Sequence, residues 1–146
     1  DISAGQLIDR AGGLLGLRFP SGRELDALAQ EAGDGEFYRP KVGGLTFSLS
    51  GVEHKMKRLA DSGASGPELA YFTVMSVVRT IQEATARALD QYGDLPVLFT
   101  GGVACNSHLR REMAGGLFAS PACSADNALG VAILTYRAVS DGTEDI

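Results

Sequence analysis

Apolar residues recur every three or four positions over residues 3–15, with Leu7, Ile8, Ala11, Leu14 and Leu15 on one face. That spacing predicts a helix, and Ser3 is placed to cap it. Gly12-Gly13 either weakens this helix or marks a close helix contact. A turn over residues 16–22 leads to a second helix that starts at Ser21 or Gly22 and runs through Glu31, with Leu25, Leu28 and Ala29 inward. Residues 33–44 read as loop. Residues 45–50 alternate, apolar at Leu45, Phe47 and Leu49, which predicts a half-buried strand. A helix follows near 52–61, then a flexible joint at 62–67. A long helix is expected from about 67 to 92, with Pro67 in its first turn. Its stripe of Ala70, Val74, Val77, Val78, Ile81, Ala84 and Ala88 reads as core packing. Leu95 to Thr100 has the all-apolar look of a fully buried strand. Gly101-Gly102 ends it, and a helix starts near Asn106. Residues 114–121 hold a weak turn or strand, a last helix spans about 127–138, and the polar stretch 141–146 reads as a frayed tail.

This order predicts an α/β fold that is helix-rich and strand-poor. Two strands cannot cover so much helical surface. The chain therefore reads as a piece of a larger protein, without the strands its own would pair with. The length of 146 residues, with 45% hydrophobic and 21% charged, suits one globular domain. No apolar run approaches the roughly 18 residues of a membrane span, and no signal peptide opens the chain. The formal net charge of −5 argues against a free-standing nucleic-acid binder. Two cysteines make no disulfide framework, and with His54 and His108 they show no zinc spacing. Reduced thiols in a cytoplasmic protein are expected.

Chemistry concentrates in two places. The first is the strand–Gly-Gly–helix element, Phe99 to Asn106. It reads either as a tight structural turn or as a site where a nucleotide or phosphate approaches Gly101 and Gly102, with free N–H groups behind. It is neither a P-loop nor a dinucleotide fingerprint. Asn106 is either a helix cap or a reader of an adenine or ribose edge. The second is Ser124-Ala125-Asp126-Asn127, where Asp126 is an N-cap or an oxygen ligand for a metal. Asp9 is a surface charge or a hydroxyl acceptor. Cys105 lies before a helix start, but nothing in the spacing pairs it with His108 as a nucleophile.

Four segments in order resemble a known family. Asp1-Ile-Ser-Ala-Gly5-Gln-Leu-Ile-Asp9-Arg10, followed by Leu15-Gly16-Leu17 and Pro20-Ser-Gly22, resembles its Asp-x-x-x-Gly-Glu-x-x-Asp-Lys, Leu-Gly-Leu and Tyr-Pro-Gly-Gly. Phe47-Ser-Leu-Ser-Gly51 resembles Phe-Ser-Phe-Ser-Gly. Gly101-Gly-Val-Ala-Cys-Asn106-Ser-His-Leu-Arg110 resembles Gly-Gly-Val-Ala-x-Asn-x-x-Leu-Arg, and Asp126-Asn127 resembles Thr-Asp-Asn. The family is the TsaD-like, or O-sialoglycoprotein endopeptidase (glycoprotease), family. The resemblance implies the actin-like (acetate kinase/hsp70/actin) fold, with residues 1–140 as its C-terminal lobe. It also implies transfer of threonylcarbamoyl from threonylcarbamoyl-AMP to N6 of adenosine 37 of tRNA. Implied nucleotide contacts are Asp9, Gly22, Asp26, Gly101, Gly102 and Asn106. Asp126 matches the one metal-ligating aspartate of this lobe, for iron or zinc. The implied partners are an N-terminal lobe, a paralogous subunit, a P-loop ATPase and tRNA.

The departures from the family pattern are specific. Both histidine metal ligands belong to the N-terminal lobe, which this chain does not include. Gln6 stands for Glu, Arg10 for Lys, and Glu53-His54 for Lys-Thr, and the stretch between Asn106 and Asp126 is short. A glutamate in place of a lysine is expected to weaken attraction for an anionic nucleotide. These departures suggest a divergent paralogue; without two metal ligands and one wall of the cleft the lobe alone is expected to be inactive, and without its neighbouring strands to self-associate. Two other readings stay open. One is a non-catalytic actin-fold scaffold or nucleotide-binding paralogue. The other is a metalloendopeptidase, disfavoured because no His-Glu-x-x-His is present.

Overall fold

The structure is a computed structural model and describes residues 1–124 and 128–140. Helix α1 (Ala4–Leu14) begins at a full capping box, in which Ser3 Oγ accepts from Gln6 N and the Gln6 side chain accepts from Ser3 N. The substitution of Gln for the family's Glu therefore leaves the cap working. Helix α2 (Gly22–Glu31) packs on α1 and α4. Gly12 explains how α1 and α2 come so close: a Cβ there would collide with the Cβ and Oγ of Ser21. Of the glycine pair, Gly12 marks a close contact, while a Cβ on Gly13 would meet nothing within 4 Å, and the helix runs unbroken through both.

Strands β1 (Val42–Gly43) and β2 (Thr46–Phe47) form a two-residue antiparallel ladder, Val42 opposite Phe47. This corrects the expected strand over 45–50. Leu45 and Phe47 are exposed, and only Leu49 is buried. Gly44, at φ +60°, closes the hairpin, and helix α3 (Ser50–Asp61) has begun before the alternation can be used.

Helix α4 (Gly66–Tyr92) is the central element, in contact with α1, α2 and α3. Ser65 and Glu68 form its capping box. All residues from Leu69 to Val78 are buried, so its first half is covered on every side and the predicted single stripe is too narrow. The polar members are satisfied internally: Thr73, Ser76 and Thr80 each donate to the carbonyl four residues back, at 2.8, 2.6 and 2.7 Å.

Strand β3 (Leu98–Phe99) pairs in parallel with β4 (Leu117–Phe118), and Phe99 stacks on Phe118 at 4.8 Å. The expected fully buried strand over 95–100 is corrected here too: Leu95 and Leu98 are 57% and 64% exposed. The sheet has only two strands, and among the described residues no layer covers Leu95 and Leu98, while Phe99 is partly covered by Phe118. A 3-10 turn (Gly102–Cys105), α5 (Ser107–Glu112), α6 (Pro121–Ser124) and α7 (Ala128–Ser140) follow. On α7, Val131, Ile133, Leu134, Tyr136 and Val139 are exposed. The expected tail 141–146 lies outside the described residues. Among the described residues no helix is long and apolar enough to cross a membrane.

Candidate functional site

The N-terminal end of α2 gathers most of the residues that the sequence singles out. Asp9, midway along α1, accepts at Oδ1 from Ser21 N at 2.9 Å and from Ser21 Oγ at 3.1 Å. A carboxylate thus fixes the residue before α2. Gly22 opens the helix. A Cβ there would meet only Ile8 at 3.8 Å, an ordinary contact, so packing within the chain does not require a glycine.

Asp26 follows Gly22 by four residues and so lies on the same helix face, about 6 Å along the axis. Its carboxylate accepts three hydrogen bonds from the start of α5: Asn106 Nδ2 at 2.7 Å, Ser107 N at 3.0 Å and Ser107 Oγ at 3.0 Å. One turn further on, Gln30 Nε2 donates to Ser107 Oγ at 3.0 Å. Sequence reasoning missed Ser107 and Gln30. Spacing from Asp26 to Gln30 was the available signal, but it points to a face and not to a partner.

Asn106 is the N-cap of α5, its Oδ1 accepting from Leu109 N at 3.0 Å. Among the described residues each half of the amide has one bond made and one capacity left, a second N–H and a second lone pair. Ahead of it, Gly101 sits at φ +95°, a conformation L-residues avoid, and a Cβ on Gly102 would meet nothing within 4 Å. The backbone is open to approach there. Asp126 lies outside the described residues, so its place relative to Asn106 is not part of this geometry.

The motif segments also meet elsewhere. Asp1 Oδ1 accepts from Ser50 Oγ at 2.8 Å and from Leu49 N at 3.2 Å, tying the chain start to α3. Glu53 accepts from Lys57 at 2.6 Å and from Arg10 at 2.8 Å. Those two hydrogen bonds, Lys57 first, hold its carboxyl below the usual glutamate range. The charge that departs from the family pattern is compensated on the spot, and Arg10, itself a departure, is one of the compensating groups.

His108 is 2% exposed and meets Tyr71 edge-on. Arg111 donates to Nδ1 at 2.9 Å, which leaves the proton on Nε2, and Nε2 has no partner among the described residues. Burial, then the nearby Arg111 charge, pushes its pKa down, against a smaller opposing pull from Asp26 and Glu112. Cys105 is exposed and makes no bond to His108, so the two do not form a nucleophilic pair. Among the described residues no three His, Cys, Asp or Glu side chains gather as a metal site. A cavity of about 570 Å³ lies between the end of α4, the loop at 94–97 and Gly115-Gly116, and none of the residues discussed above as nucleotide contacts lines it.

The family model for TsaD, tRNA N6-adenosine threonylcarbamoyltransferase, matches residues 1–129. The tRNA N6-adenosine threonylcarbamoyltransferases of Pelobacter propionicus and Geobacter sulfurreducens are 34% and 36% identical to the chain, each over 91% of it and 44% of their own length. The Thermus thermophilus protein of the same name is 33% identical over 94% of the chain and 45% of its own length. The chain thus spans a little under half the length of these curated relatives. With a match over most of its residues, and with the motif segments drawn together by Asp1, Arg10 and Asp26, the chain belongs to the TsaD family.

Proposed function

We propose that the chain is the C-terminal, nucleotide-binding lobe of an actin-like protein that transfers a threonylcarbamoyl group from an adenylate to N6 of an adenosine in tRNA. The observation that carries this reading is the Asp26 carboxylate held by Asn106 and Ser107, beside the open Gly101-Gly102 backbone. It fixes an adaptable amide at the start of α5, whose first N–H groups are already taken by Asp26 and by Asn106 itself. Gly22 and the Asp9–Ser21 bond stand one helical turn away. An adenine or ribose edge would use the unfilled donor and acceptor of Asn106, and phosphate oxygens would use backbone N–H groups near Gly101 and Gly102.

The length of the relatives supports a further lobe that closes the site, and on this reading the paralogous subunit, the P-loop ATPase and tRNA act on the completed protein. An iron or zinc ion would rest on Asp126 together with ligands from outside this chain. The described residues do not make that site by themselves. The test is calorimetric titration of the full-length protein with AMP and with threonylcarbamoyl-AMP, followed by a transfer assay on tRNA. Binding of both, weakened by Asn106→Ala, is expected. A protein that binds neither is a scaffold, and the reading fails.

A further inference from the structure

The loop between α2 and β1 carries an unusual charge arrangement. The Arg39 guanidinium lies 5.2 Å from the centre of the Phe37 ring, and Arg79 lies 5.6 Å from the same ring. On the adjoining helix α3, the Lys55 ammonium lies 4.6 Å from the centre of the Tyr38 ring. Lys41 follows two residues after Arg39 and is exposed, as are Arg39 and Lys55. Among the described residues, none of Arg39, Lys41 and Lys55 has a carboxylate within 4.0 Å, whereas Arg79 is paired with Glu112 at 2.7 Å. Glu36 is the one acid inside the 36–41 stretch.

An aromatic face holds a cation in place without neutralising it, unlike a carboxylate. The charge of Arg39 and Lys55 therefore stays available to an external anion, with less rotamer freedom to lose on binding. The loop itself is anchored: Tyr38 N donates to Ser76 Oγ at 2.9 Å, and Pro40 and Val42 are buried. These cations sit on a chain with 18 acidic and 13 basic residues, so a general positive field does not account for them. Arg39 and Lys41 on the anchored loop and Lys55 on the helix beside it are separate positive points, which suit a repeating anion better than a single phosphate.

We propose that Arg39, Lys41 and Lys55 form a contact for the RNA phosphate backbone. The choice of RNA rests on the function proposed above. Phe37 and Tyr38 are already covered by cations, so the contact reads phosphates and not bases, and it carries no sequence preference of its own.

The test uses the full-length protein and a fluorescent anticodon stem-loop RNA, with affinity measured by anisotropy over a range of salt concentrations. The combined Arg39→Gln, Lys41→Gln, Lys55→Gln variant is expected to bind RNA at least about tenfold more weakly at low salt. The slope of log affinity against log salt should become shallower by roughly 2, since each lost phosphate contact removes about 0.7 to 0.9. AMP affinity and the melting temperature should not change. All three side chains are exposed; if the triple variant nonetheless melts early, Lys41→Glu alone, away from both rings, should still weaken RNA binding. Unchanged affinity and slope in these variants overturn the proposal while leaving the proposed function standing. So does a loss confined to an acidic protein partner. Absence of any RNA binding by the unaltered protein overturns both.

Discussion

Asn106 donates from Nδ2 to Asp26 Oδ1 at 2.7 Å, although 80 residues separate the two in sequence. The bond joins the face of α2 that carries Gly22 to the start of α5. Asp26→Ala removes the acceptor of three hydrogen bonds at once. It should destabilise the protein by about 1–3 kcal/mol, given that the site is only half-buried. Urea denaturation would measure this, and an unchanged midpoint would show that water replaces the carboxylate without loss.

Gly12 and Gly22 should respond in opposite ways to alanine. Gly12→Ala forces a Cβ into Ser21 and should destabilise by about 1–3 kcal/mol, disturbing the Asp9–Ser21 bond as it does so. Gly22→Ala meets only an ordinary contact and should leave stability within about 0.5 kcal/mol, or raise it slightly through helix propensity. Its effect should fall on AMP affinity. If Gly22→Ala binds AMP as tightly as the unaltered protein, Gly22 is not a nucleotide contact.

Acid should weaken the fold first through His108. Its folded pKa lies below the ordinary 6.5, so the unfolded chain takes up the proton more readily. Stability is then full above the unfolded value and declines as pH falls through about 6.5, until the folded value is reached. Glu53 and Glu68, both held below 4.5, add a second decline at lower pH as they protonate. His108→Leu should remove the first decline and keep the second. Denaturation midpoints compared between about pH 8 and pH 5 provide the measurement, and a slope that survives in His108→Leu would assign it to another group.

The apolar surface should drive association of the isolated chain. Leu98 and Leu117 are exposed on the two-stranded sheet, and Leu134, Tyr136 and Val139 on α7. Light scattering at micromolar concentration should show a dimer or larger species, which Leu134→Lys should shift toward monomer. A monomer in the unaltered chain would mean that these side chains find cover within it.

The 146-residue chain alone should transfer no threonylcarbamoyl group to tRNA under conditions where a full-length relative does, because it spans only 44% of such a relative. Measured turnover would show that this lobe is sufficient, and would overturn the two-lobe site proposed above.

Helices were legible from the chain because their bonds are local. The i, i+3, i+4 recurrence located α1, α2 and α4 to within a residue or two, and Ser3 and Asn106 cap where their side chains and positions indicated. The motif segments were legible too, and it is the resemblance they carry that singles out Gly22 and Asp26 beside Asp9 and Asn106. Strand extent was not. Residues 45–50 and 95–100 have strand-like patterns, yet each yields two ladder residues, because a strand exists only as far as a partner reaches. The partner of Asp26 was equally hidden. A carboxylate on a helix face carries no record of which distant donor it will meet, and the choice of Asn106 and Ser107 is made by how α2 and α5 pack around α4. His108 shows the same division: the sequence supplies an imidazole, while its burial against Tyr71 and the depressed pKa that follows exist only once the helices have closed over it.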